Sequence, residues 1–106
     1  MTYHFSRTLD TDMDDAIARA TSALSEEGFG VLTEIDVQAT LKNKMAVDFR
    51  PYRILGACNP RFAHKALLHE DKIGTMLPCN VIVQELAAGQ VEVSAVDPMA
   101  SMSSVE

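Results

Sequence analysis

The chain has 106 residues, 47% of them apolar and 23% charged, and a formal charge of −6 from 15 acidic and 9 basic side chains. That length suits a single domain over 1–106, and the apolar share is enough to offset chain entropy, which excludes an unfolded chain. The basic residues are scattered and outnumbered, which argues against a nucleic-acid partner, because such binding needs a concentrated positive footprint.

Residues 2–8 alternate aromatic and polar side chains through Tyr3, Phe5 and Arg7, predicting a first strand. This start has no basic segment followed by an apolar one, so no export signal is read from it. Apolar stretches such as Ile54 to Cys58 fall far short of the ~20 residues that cross hydrocarbon, so no membrane partner is expected. The expected location is the cytoplasm, with both cysteines reduced. Thr11 is the candidate N-cap of the first helix, with Asp14 as its capping-box partner. Met13, Ala16, Ile17, Ala20, Ala23 and Leu24 then recur at spacings of three and four, the pattern of a helix with one buried stripe. Gly28 suits the left-handed position after the helix, which places Leu24 and Phe29 as the apolar pair of a Schellman cap. The helix is therefore predicted over 12–27.

Gly30 to Val37 is rich in β-branched residues and predicts a second strand. Residues 38–46 can form a short helix, which Pro51 excludes from continuing. Tyr52 to Ala57 is apolar apart from Arg53, as an interior strand requires. Asn59-Pro60 has the form of an N-cap with proline at the first helical position. The helix after it is expected over 60–70, burying Phe62, Ala63, Ala66 and Leu67. Asn80 to Leu86 and Val91 to Val96 read as two strands joined in a hairpin across Ala87-Ala88-Gly89-Gln90. Asp97-Pro98 can start a last helical turn, and about 99–106 reads as a frayed tail.

The candidate site is built on the cysteines. Cys58 falls at a strand end just before a helix N-terminus, where backbone N–H groups and the helix dipole can lower a thiol pKa. Cys79 begins the next strand. Each is followed by an asparagine, Asn59 and Asn80, and the four can line one mouth of the sheet if their strands are neighbours. The competing reading is that both cysteines are small buried hydrophobes. Gly56, inside an apolar strand, marks close approach by another backbone or by a ligand. His64 and His69 are about 140° apart on a helix and cannot chelate from one face, and no C-x-x-C is present, so no metal is expected. Gly28-x-Gly30 follows a helix instead of preceding one, so no nucleotide cofactor is expected either. Lys42, Lys44, Asp48 and Arg53 read as a solvated loop before an anion site.

The segment Ile54-Leu55-Gly56-Ala57-Cys58-Asn59-Pro60 resembles the bacterial and archaeal "domain of unknown function 302" family. Glu26 to Val37, Leu77-Pro78-Cys79-Asn80-Val81 and Asp97-Pro98 agree with it in the same order, over about 3–98 of the chain. The resemblance implies an α+β fold. In it a curved, mainly antiparallel sheet of about five strands packs against two main helices, similar to the sheet of the TATA-binding protein. It also implies a homodimer. It brings no established reaction, and the likeness to a DNA binder carries no functional weight. The leading expectation is a small-molecule ligand in a cleft bordered by Gly56, Cys58, Asn59, Cys79 and Asn80. One rival is thiol chemistry, with Cys58 attacking and Cys79 resolving. The other is a structural interaction module with both cysteines packed inside.

Overall fold

The computed structural model describes residues 3–97. Five strands, β1 (His4–Leu9), β2 (Gly30–Asp36), β3 (Tyr52–Cys58), β4 (Cys79–Ala87) and β5 (Gln90–Val96), form one sheet in the order β1-β5-β4-β3-β2. Every neighbouring pair is antiparallel. Three helices accompany it: α1 (Met13–Glu26), α2 (Val37–Met45) and α3 (Pro60–His69). A 3₁₀ segment, Asp71–Met76, follows α3. The architecture is the α+β fold with a curved sheet that the family resemblance implies, and the short α2 joins the two main helices. The turn expected from Pro98 onward and the tail expected over 99–106 lie outside the described residues.

The ends of α1 follow from local chemistry. Its N-cap is Asp12 and not Thr11, because the Asp12 carboxylate accepts from Asp15 N–H at 2.8 Å. The Thr11 hydroxyl donates to the Asp15 carboxylate at 2.6 Å instead, and the helix begins one residue later than expected. Its C-terminus closes as the sequence predicts. Gly28 has φ +84°, its N–H donates to Ser25 C=O at 3.1 Å, and Phe29 N–H donates to Leu24 C=O at 2.8 Å. These are the two bonds of a Schellman motif, and the positive φ requires a residue without Cβ.

Register sorts each strand into two faces, since successive side chains alternate across a pleated sheet. On one face Leu55, Ala57, Val81, Val83 and Val91 are buried. Met13, Ala16, Ile17 and Leu24 of α1 pack against that face. Fully burying a side chain such as Leu55, Val83 or Val91 contributes about 1.5–3 kcal/mol, so this layer is the core. On the other face two rungs run across the sheet. One is Ile54, Ile82, Ser94 and Ser6, and the other is Tyr52, Gln84, Glu92 and Thr8.

The burial expected of α3 is not observed. Phe62 is 66% exposed and Leu67 42%, because α3 packs chiefly on the 3₁₀ segment and not over the sheet. The buried apolar group of that excursion is Ile73, which the periodicity of 60–70 does not reach. Among the described residues no helix is long and apolar enough to cross a membrane.

Candidate functional site

A cleft of about 400 Å³ opens on the second face of the sheet. Its floor is Asn80, Ile82 and Gln84 of β4 with Glu92, Ser94 and Val96 of β5. Tyr3 and His4 close one side, Tyr52 another, and Met76 and Pro78 form a wall. Strands, the 3₁₀ segment and the residues Tyr3 and Pro78 that precede β1 and β4 supply these groups, and α1, α2 and α3 contribute none. The volume lies within the ~300–1,000 Å³ typical of small-molecule sites. A shallower groove between β1 and α1, lined by Phe5, Arg7, Arg19 and Ala20, lacks a comparable cluster of polar groups.

The polar groups of the cleft are joined. His4 Nδ1 lies 2.9 Å from Ser6 Oγ, which lies 2.7 Å from Ser94 Oγ. Ser94 Oγ donates to Glu92 Oε1 at 3.4 Å, and Gln84 Nε2 donates to the same oxygen at 3.1 Å. The rung order explains the connection. Ser6 is directly opposite Ser94, and Gln84 directly opposite Glu92, so short side chains meet across neighbouring strands. Arg50 reaches Gln84 Oε1 at 3.5 Å while its guanidinium lies 4.4 Å over the Phe49 ring. The arrangement holds one carboxylate in place with neutral donors, and no ion pair to Glu92 is present among the described residues.

Gly56 supports the wall of this cleft. A Cβ built there would stand 2.2 Å from Thr33 Oγ1 and 2.7 Å from Pro78 Cγ. The close approach read from the sequence is therefore made by two side chains, not by a ligand or a backbone. The absence of a side chain at 56 lets Pro78 lie against β3 and face the cleft.

The cations read as part of a loop lie in α2 (Lys42, Lys44) and β3 (Arg53), and two of them are matched by acids. Lys42 pairs with Asp48 at 2.9 Å, and Arg53 pairs with Glu34 and, at 3.4 Å, with Asp36. Among the described residues no group of three or more His, Cys, Asp or Glu side chains is placed to hold a metal.

Residues 5–106 match the family model of the domain of unknown function DUF302. The chain belongs to the DUF302 family. It is similar to a solved structure, the crystal structure of uncharacterized conserved protein DUF302 from Bacillus stearothermophilus, with 31% identity and a TM-score of 0.87. That likeness covers 97% of this chain and 80% of the other. No curated protein matches it.

In this DUF302 chain the residues first singled out sit together at one end of β3 and β4, and only some of them line the cleft. Cys79 and Asn80 line the cleft, whereas Gly56, Cys58 and Asn59 do not. The Asn59 side-chain oxygen Oδ1 is committed to α3, accepting from Arg61 N–H at 3.1 Å and Phe62 N–H at 3.3 Å. β3 and β4 are neighbours, with Ala57 opposite Cys79. Cys58 follows Ala57 by one residue, so the two cysteines lie at the same end of the sheet. Both cysteines are free and half-buried. Burial pushes the Cys79 thiol above the usual thiol range, and the nearby Cys58 pushes it the same way. The cluster missed by sequence reasoning is His4, Ser6, Gln84, Glu92 and Ser94. Its signal was present in β5, where Glu92 and Ser94 alternate with Val91, Val93 and Ala95.

Proposed function

We propose that this DUF302 domain binds a small organic molecule in the cleft on the second face of its sheet. The observation that carries the reading is the row His4, Ser94, Glu92 and Gln84 on a concave surface, linked through Ser6 beside it, with apolar and aromatic groups making up most of the remaining lining. A few fixed polar groups among apolar walls orient a ligand without a large ordering cost. Asn80 joins them as a further amide at the margin. The test is a thermal-shift screen run in parallel on the protein and on Ile82→Trp, which fills the cleft. Compounds that raise the melting temperature of the parent should leave the variant unmoved, since only native-state binding stabilises. Stabilisation that persists in Ile82→Trp contradicts the reading.

Thiol chemistry has less support. The thiol raised by burial is Cys79, the resolving member of the cysteine pair, and it holds less of the reactive thiolate at neutral pH.

Self-association is a second reading, supported by the edges of the sheet. β1 and β2 are edge strands. Phe5 on β1 is 64% exposed and Leu32 on β2 68% exposed. Unpaired edges with apolar side chains are templates for a second chain. Light scattering should give the mass of a dimer for the parent and of a monomer for Leu32→Lys or Phe5→Lys. A monomeric parent contradicts this reading.

A further inference from the structure

We propose that the cleft is selective for an organic cation, an ammonium group carried on an aromatic or aliphatic body. The inference rests on the cleft being the ligand site and names the class of ligand. Glu92 is half-buried at the cleft floor and takes both of its hydrogen bonds, from Gln84 and Ser94, at the same oxygen, Oε1. Its other carboxylate oxygen has no protein donor, and no Lys or Arg pairs with it among the described residues. A carboxylate in a partly desolvated concavity attracts a cation more strongly than one in open water. The Arg50 guanidinium is held by Gln84 Oε1 and the Phe49 ring and does not line the cleft. His4 and Cys79 are the other titratable side chains at the cleft apart from the tyrosines, and Ser6 and Ser94 separate His4 from Glu92.

The remaining walls suit the same ligand. Tyr3 and Tyr52 bring aromatic rings, whose faces attract cations. Met76, Pro78 and Ile82 offer apolar surface for a carbon body. The formal charge of −6 adds long-range attraction for a cation and opposes an anion.

The experiment uses three probes of one shape and different charge: benzylamine, benzyl alcohol and benzoate. Each is titrated into the full chain and into Glu92→Gln, with amide shifts of cleft residues as the readout. Gln at 92 keeps the acceptor for Gln84 and Ser94 and removes only the charge. The parent should bind benzylamine about tenfold more tightly than benzyl alcohol, the size expected for a charge-assisted hydrogen bond. Glu92→Gln should remove the preference for the amine, so that benzylamine and benzyl alcohol bind with equal affinity. Equal affinity of amine and alcohol in the parent, or a preference for benzoate, overturns the cation inference and leaves the cleft standing. Binding of none of the three overturns the cleft reading itself.

Discussion

Pro78 lies over Gly56 so closely that a Cβ at residue 56 would stand 2.7 Å from Pro78 Cγ. Thr33 Oγ1 would be closer still, at 2.2 Å. The Pro78 ring is tied to its own backbone and cannot step aside without moving it, and the β-branched Thr33 has restricted rotation about χ1. Gly56→Ala should therefore destabilise the protein by about 1–3 kcal/mol, the range for overpacking a filled site. The urea midpoint measures this. Thr33→Ala in the Gly56→Ala background should recover part of the loss, because it removes the nearer contact. An unchanged midpoint for Gly56→Ala would contradict the packing.

The two asparagines that looked equivalent in the sequence should behave differently. Asn59 caps α3 through bonds to Arg61 and Phe62, while Asn80 lines the cleft. Asn59→Ala should lower stability by about 1 kcal/mol, and Asn59→Asp should keep most of it, since aspartate caps as well as asparagine. Asn80→Ala, at an exposed position, should change the melting temperature little. Equal losses for Asn59→Ala and Asn80→Ala would show that the cap is not what Asn59 supplies.

These contrasts show what the sequence could and could not reveal. Caps, turns and strand alternation are local, so the Gly28 stop, the Asn59-Pro60 start and the hairpin closing at Ala87 and Gln90 were legible. The Thr11 assignment failed because two oxygens compete for the same helix start, and Asp12 is the one that reaches Asp15 N–H. The burial of Phe62 and Leu67 failed because periodicity marks an apolar stripe without saying what covers it. The cleft was hidden for a stronger reason. Ser6 and Ser94 are 88 residues apart and meet only through the pairing of β1 with β5. His4 alone gave no reason to look there.

The Cys79 thiol should respond to pH in a defined direction. Its folded pKa lies above the unfolded value, near 8.5, because burial and the neighbouring Cys58 disfavour the thiolate. In the window above ~8.5 the unfolded chain therefore releases its proton before the folded chain does. The stabilisation is fully present below the unfolded pKa and is lost as pH rises through the folded one. Stability of the parent should fall between pH 8 and 10 more steeply than that of Cys79→Ala. Iodoacetamide should modify Cys79 in the folded protein more slowly at pH 7 than in the unfolded chain. Rapid modification of folded Cys79 at pH 7 would contradict this and revive thiol chemistry.

The central claim is that the second face of the sheet, and not the cysteine rim, receives the ligand. The most direct measurement is a methyl-resolved NMR titration of isoleucine- and methionine-labelled protein with benzyl alcohol. Ile82 and Met76 line the cleft, whereas Ile17 packs on the core face and Ile73 is buried beyond it. Saturable shifts at Ile82 and Met76, with Ile17 and Ile73 unmoved, are predicted. Silence at Ile82 and Met76, or shifts confined to other methyl groups, would contradict the claim.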